Sequence, residues 1–210
     1  MTRRTRILHF THEDNLVQIF GRGGLVCDKQ RRSSGIESRN VAYSDLKLER
    51  SQTIVEVPPG GTLDDYVPFY FGPKSPMMLT YMNGNVTGSL EDLNEIVYFV
   101  SSAQHVEASG LKFAFTDGHP VKQPRFFYND LADLGEVDHA LMWQKWWHDT
   151  DEYPDRKRRR QAEFLVWREM PLTEIDHLVT KSHPKRLEVE SMLSNWDLDI
   201  PCRAWPSWYY

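Results

Sequence analysis

The chain has 210 residues, 40% hydrophobic and 26% charged, a composition near that of ordinary folded domains and far from that of disordered or membrane-spanning chains. Its formal charge of −5 argues against a protein that coats nucleic acid through its overall field. Cys27 and Cys202, with no C-x-x-C spacing, suggest neither a disulfide framework nor a structural zinc site, and no apolar run approaches a membrane span. We therefore expect one domain over residues 1–210, without a signal peptide behind the basic start at Arg3, Arg4 and Arg6. A cytoplasmic monomer is the default expectation.

Arg6 to Phe10 reads as a strand. Thr11-His12-Glu13-Asp14 then offers the hydroxyl and carboxylates that favour a helix start, with Leu16, Ile19 and Phe20 as its apolar stripe. Gly21, Gly23 and Gly24 stop that helix, and Leu25-Val26 resumes an extended course. Lys29 to Asn40, rich in Ser, Arg and Gly, reads as a surface loop. A helical turn is expected at Ser44 to Leu48, and a strand at Thr53 to Val57 that ends in the turn Pro58-Pro59-Gly60-Gly61. Val67 to Phe71 is a strand that Pro68, lacking an amide proton, confines to an edge or a bulge.

Glu91 to Glu95 reads as a helical turn, Ile96 to Val100 as a buried strand and Ser102 to Ala108 as a helix. Leu111 to Thr116 is a further strand, closed by Asp117-Gly118. Ala140 to His148 has helical spacing and carries Trp143, Trp146 and Trp147. Ala162 to Trp167 is a short apolar strand, Pro184 to Leu193 a final helix, and Trp205 to Tyr210 a packed aromatic tail. Strands with helices falling irregularly between them make the fold class α+β.

No Walker loop, G-x-G-x-x-G, H-E-x-x-H or G-x-S-x-G occurs. Polar residues beside strands are left: His9, Thr11, Arg50, Ser75, His119 and Glu163. Glu163 interrupts an apolar segment where a buried strand should begin, and burying an unpaired carboxylate costs roughly 2 to 5 kcal/mol. It either faces water at an edge, pairs with an arginine, or does chemistry. His9 and Thr11 share one face of their strand, beside the free amides of a helix start. Arg156-Lys157-Arg158-Arg159-Arg160 either grips a polyanion or forms a solvated helix face.

Four segments together, Leu8-His-Phe-Thr-His-Glu-Asp-Asn-Leu16, Asp65-Tyr-Val-Pro-Phe-Tyr-Phe-Gly-Pro-Lys-Ser-Pro-Met77, Thr116-Asp-Gly-His119 and Arg160-Gln-Ala-Glu-Phe-Leu-Val166, resemble the DarT family in order and spacing. These are the toxins of DarT–DarG toxin–antitoxin systems. The resemblance implies an ADP-ribosyltransferase-like fold, in which a central split β-sheet surrounded by helices clamps NAD⁺ in an extended cleft. It implies transfer of ADP-ribose to a base in single-stranded DNA in a sequence-dependent way, usually thymine, with guanine as the alternative acceptor.

The same resemblance makes Glu163 the catalytic carboxylate, Arg50 the arginine near the NAD⁺ phosphates and His119 a histidine close to the active site. His9 and Thr11 match the residues that meet the nicotinamide and its ribose, and Asn15 belongs to that element. Tyr70 or Phe71 would stack the nicotinamide, and Ser75 counts with the cofactor side. Residues 156–160, Gln161 and Met78 would serve DNA, with the three tryptophans less favoured. NAD is the expected co-substrate, with no metal, and a DarG-type macrodomain antitoxin is the expected partner. Two rival readings are a non-catalytic single-stranded DNA-binding module and a metal nuclease built from His12, Asp14, His119 and Glu163.

Overall fold

A computed structural model describes residues 4–41 and 44–210 of the chain. Of the basic amino terminus, Arg3 lies outside the described residues. In chain order the elements are β1 (Arg6–His12), α1 (Leu16–Arg22), β2 (Gly24–Val26), α2 (Asp28–Ser33), α3 (Ser44–Gln52), β3 (Tyr66–Tyr70), α4 (Pro76–Met82), β4 (Ile96–Ser102) and α5 (Ala103–Ala108). There follow β5 (Phe113–Thr116), β6 (Phe127–Tyr128), α6 (Arg156–Arg159), β7 (Glu163–Trp167), β8 (Glu169–Pro171), β9 (His177–Thr180), α7 (His183–Asn195) and β10 (Cys202–Ala204).

Eight of these strands form one sheet in the order β10-β9-β4-β1-β3-β7-β5-β6, while β2 and β8 form a small second sheet. Pairing is antiparallel throughout the large sheet except between β10 and β9. Alternate residues of each central strand enter opposite cores. Ile7, Phe69, Phe99 and Phe164 join one cluster, while Leu8, Phe10, Tyr98 and Val179 join the other. All seven residues of β4 are buried, as expected of a strand covered on both faces. The aromatic tail closes the second core: Trp208 and Tyr209 are buried, and the Tyr209 hydroxyl reaches the carbonyls of Ile96 and Val179 at 3.1 and 2.8 Å.

The sheet is split. β1 follows β4 from Arg6↔Ser102 to His12↔Ile96, but it meets β3 at the single pair Leu8↔Tyr70. β3 runs along β7 from Tyr66↔Trp167 to Tyr70↔Glu163. Pro68 therefore lies in an interior strand, not at the edge expected from sequence. Its missing donor costs nothing on the β1 side, where no ladder runs, and its carbonyl accepts a hydrogen bond from His9 Nδ1 at 2.8 Å.

Three further expectations change. The stretch from Lys29 begins in a helix, α2, before the loop of residues 34–41. Thr53 to Val57 alternates in burial as a strand would, but it finds only a bridge, Ile54↔Thr62, because the returning segment after the Pro-Gly turn is too short to ladder. Ala140 to His148 is not a helix. A 3₁₀ turn covers Leu141–Trp143, and Trp147 is then drawn inward by its indole bond to the Tyr210 hydroxyl at 3.3 Å.

Candidate active site

The opening between β1 and β3 forms a cleft whose floor holds an ion pair. Glu163, the first residue of β7, sits opposite Tyr70 in register. Arg50, in the last turn of α3, sends Nη1 to both carboxylate oxygens of Glu163, at 3.1 and 2.8 Å. Both side chains are buried, at 9% and 6% exposure. Burial opposes the Arg50 charge, and the adjoining carboxylate more than offsets that, holding the guanidinium above its usual range. Arg50 Nη2 is buried in the protein with no partner. An unmet buried donor of this kind is costly unless a ligand atom takes it, so the pair is built to receive something.

A chain of hydrogen bonds ties this floor to His119. The Glu163 amide donates to Thr116 Oγ1 at 3.1 Å, and that hydroxyl donates to the Gly118 carbonyl at 2.7 Å. The Val121 amide donates to His119 Nδ1 at 3.1 Å, so the proton of the neutral ring is on Nε2. Burial, with help from the positive charges of Arg50 and Lys122, pushes His119 down to about 4. At neutral pH it is an uncharged donor beside Arg50. Tyr70 is likewise kept as a phenol, first by burial and then by the Glu163 charge.

A chamber of about 100 Å³, lined by His9, Tyr70, Arg50, Lys47 and Glu163, continues into a larger one of about 190 Å³. His9, Phe10, Asp28, Val41, Lys47 and Pro68 line both, so the two form one elongated groove. Its far part carries the cations Arg22, Arg31 and Arg39. None of these was singled out in the sequence: Arg22 closes α1, and Arg31 and Arg39 lie in an apparent surface loop. Asn15 builds the wall there. Its Nδ2 donates to the Arg39 carbonyl at 3.0 Å and to Thr11 Oγ1 at 2.8 Å, and its Oδ1 accepts from the Arg39 amide at 2.8 Å.

Residues 8–210 match the family model described as "DarT: ssDNA thymidine ADP-ribosyltransferase, DarT". The chain belongs to the DarT family. It is thus a DNA ADP-ribosyltransferase, the enzyme class implied by the four segments. A DNA ADP-ribosyl transferase of Thermus sp. is 36% identical over 192 residues, covering 91% of this chain and 88% of that protein. Thermus sp. 2.9 DarT, solved in complex with ADP-ribosylated ssDNA, superposes with a TM-score of 0.90 at 34% identity over 100% of both chains. The same protein in complex with NAD⁺ gives 0.88 at 33%, covering 99% of this chain and 98% of that one.

Within this DarT-family chain the residues chosen from sequence separate into groups. His9, Arg50, Tyr70 and Glu163 meet in the inner chamber, and His119 lies near Arg50. Thr11 and Asn15 line the outer one, where the Asn15 amide is spent on protein atoms. Phe71 is core, 2% exposed and in edge contact with Phe115, His139 and Phe164. Ser75 caps α4 by accepting from the Met78 amide at 3.2 Å, and Met78 is fully buried, so its side chain meets no strand of DNA in this conformation.

The basic run is not one cationic face. Arg160 is 1% exposed and donates to the Pro73 and Lys74 carbonyls, the latter at 3.1 Å. Arg158 is held by Asp117 and Asp155, Arg159 by Asp138, and Arg156 bonds the Trp146 carbonyl at 2.8 Å. Lys157 alone of the five is exposed. Four helical residues turning into a strand point their side chains in divergent directions, so consecutive charges find separate partners. Gln161 Nε2 donates to the Lys157 carbonyl at 2.9 Å. Among the described residues no cluster of three or more His, Cys, Asp or Glu is placed to hold a metal, and His12 instead bonds Glu95 at 2.9 Å. The metal-nuclease reading has no support there.

Proposed function

We propose that this chain transfers ADP-ribose from NAD⁺ to a thymine in single-stranded DNA, and that it does so as the toxin of a toxin–antitoxin pair. The observation that carries the reading is the buried Glu163–Arg50 pair at the head of a split sheet, with Arg50 Nη2 left to a ligand. The dinucleotide would lie along the groove with its nicotinamide end beside His9 and Tyr70. Its diphosphate would meet the cations of the outer chamber, Arg31 and Arg39, rather than Arg50, whose Nη1 is held by Glu163 deep in the inner chamber. The NAD⁺ and ADP-ribosylated ssDNA complexes of the Thermus sp. 2.9 relative support both ligands.

In the transfer the bond between ribose C1′ and nicotinamide breaks, and its electron pair leaves with the nicotinamide. C1′ becomes cationic, and the Glu163 carboxylate stabilises that charge where it is greatest. A ring nitrogen of the acceptor base then bonds C1′, and its proton passes to Glu163, directly or through a ribose hydroxyl. Arg50 positions the carboxylate, and the free Nη2 offers a hydrogen bond to a base carbonyl. His119 supplies a neutral Nε2–H donor. The whole chain acts as one catalytic unit, and a macrodomain antitoxin that removes the modification is the partner this role requires.

The test is incubation with NAD⁺ and single-stranded oligonucleotides that carry either thymine or guanine, followed by intact-mass measurement. One ADP-ribose gained on the thymine strand is expected, with loss of the gain in Glu163→Ala. Modification of the guanine strand alone would redirect the acceptor. DNA binding without mass gain would return the chain to a non-catalytic module.

A further inference from the structure

Two energetic costs meet at one peptide of this fold. Arg160 is 1% exposed, yet among the described residues it forms no ion pair, although Arg158 and Arg159 beside it each hold a carboxylate. Its Nε and Nη1 are buried without a partner, and burial pulls the guanidinium below the ordinary arginine range. Lys74 supplies the second cost: it holds a left-handed backbone, φ 56°, without being a glycine.

The arginine grips the strained residue. Arg160 Nη2 donates to the carbonyls of Pro73 and Lys74, the latter at 3.1 Å. The Lys74 carbonyl also accepts from the Tyr210 hydroxyl at 2.7 Å, and the Lys74 amide donates to the Tyr98 hydroxyl at 3.3 Å. Both polar backbone atoms of Lys74 are therefore held, which is what a left-handed non-glycine residue needs in order to persist. The turn cannot slide to relieve itself, because a Cβ added at Gly72 would lie 2.0 Å from the Met142 carbonyl.

This turn joins two pieces of the inner chamber. Tyr70, two residues before Gly72, lines the chamber and pairs with Glu163, and Met77, the second residue of α4, lines it too. Arg160 stands three residues before Glu163 in the chain. Its backbone thus leads into the carboxylate, while its side chain fixes the turn that carries Tyr70 and Met77. Among the described residues that line the chamber Arg160 is absent, so it reaches the site only through these two connections. An apolar side chain of similar length would fill the same place without an unmatched charge, so stability alone does not account for an arginine there.

We propose that Arg160 is a positioning residue of the transferase, a latch that fixes Glu163 relative to the wall formed by Tyr70 and Met77 so that the reacting sugar carbon meets the carboxylate. This rests on the function proposed above. The latch acts on geometry, and its loss appears in the rate of the chemical step rather than in affinity for either substrate.

The experiment compares Arg160→Met, Arg160→Lys and Lys74→Gly, with urea midpoints and initial transfer rates on a single-stranded oligonucleotide that the wild type modifies. Arg160→Met should have a midpoint no lower than the wild type's, while kcat falls about 10- to 100-fold and KM changes little for NAD⁺ or the strand. Arg160→Lys keeps a charge and a donor and should recover part of the rate. In a Lys74→Gly background the left-handed turn forms without force, so Arg160→Met should there cost at least about threefold less in kcat. An equal loss in both backgrounds overturns the latch, because the arginine would then act by another route. A lower midpoint with unchanged kcat overturns it by making Arg160 structural, and a raised strand KM with unchanged kcat overturns it by making Arg160 a binding residue. Each of these outcomes leaves the function intact, whereas a wild type that modifies no strand overturns the function and the latch with it.

Discussion

Tyr70 pairs with Leu8 on one side and with Glu163 on the other, so the one rung that joins β1 to β3 also positions the Glu163 carboxylate. The sheet opens beside that rung. A ligand entering the split is led to Glu163 by the strands themselves, and Arg50 Nη1 holds both oxygens of that carboxylate in place.

That pair makes unequal demands on its two members. Arg50→Ala should leave a buried carboxylate unmatched and cost about 3 to 5 kcal/mol of stability, read as a lower urea midpoint. Arg50→Lys keeps the charge but removes the Nη2 donor that is left to a ligand, and it should fold while transferring at least about tenfold more slowly. Glu163→Gln keeps a hydrogen-bond acceptor for Arg50 but not its counter-charge, so it should lower the urea midpoint less than Arg50→Ala and lose about 10² to 10⁴ in rate. Equal stability of Arg50→Ala and the wild type would show that Glu163 does not depend on its partner.

Much of this was legible in the sequence, and the residues that were missed share one cause. Glu163 stood out because it broke an apolar run, and His9 because it shared a strand face with Thr11. Both are local signals. Arg31 and Arg39 gave none, since their place in the groove depends on Asn15 fastening a loop 24 residues away in sequence. Pro68 misled for the same reason: an interior strand tolerates it only because a distant strand splits away. The five cations misled most, because the acidic partners Asp117 and Asp138 come from other elements and become neighbours only on folding.

Asn15 gives a direct test of the groove wall. Its three hydrogen bonds hold residue 39 and Thr11 together, and losing a buried partner costs about 1 to 3 kcal/mol where donors are left unmet. Asn15→Ala should raise KM for NAD⁺ about tenfold or more, change kcat little, and make residues 36–41 more sensitive to limited proteolysis. A lowered kcat with normal KM would assign Asn15 to the chemistry instead.

Stability should depend on pH through partly buried histidines. His119 and His177 are each pushed down to about 4, primarily by burial. The unfolded chain takes these protons near pH 6.5, so it binds more protons than the native state between about pH 6.5 and 4. Stability is therefore full above pH 6.5 and falls as the pH drops towards 4. Urea midpoints measured across that range should show the decline, and His177→Phe, which keeps the ring packed against Trp205 without a titrating nitrogen, should flatten it. A wild-type midpoint independent of pH over this window would contradict the neutral state assigned to both rings.

The divided fate of the basic run separates binding from folding. Lys157 is exposed, so Lys157→Ala should weaken strand binding without altering the urea midpoint, and should reduce the slope of log affinity against log salt by about one unit. Arg158 clamps Asp117 and Asp155, and its backbone carbonyl accepts from the His119 amide at 2.9 Å. Arg158→Ala should therefore lower stability and displace His119, slowing transfer on every strand alike with little change in the salt slope. A large salt-slope change in Arg158→Ala with an unaltered midpoint would mean that this arginine leaves its carboxylates to hold phosphate, and the partition drawn from its buried contacts would have to be reversed.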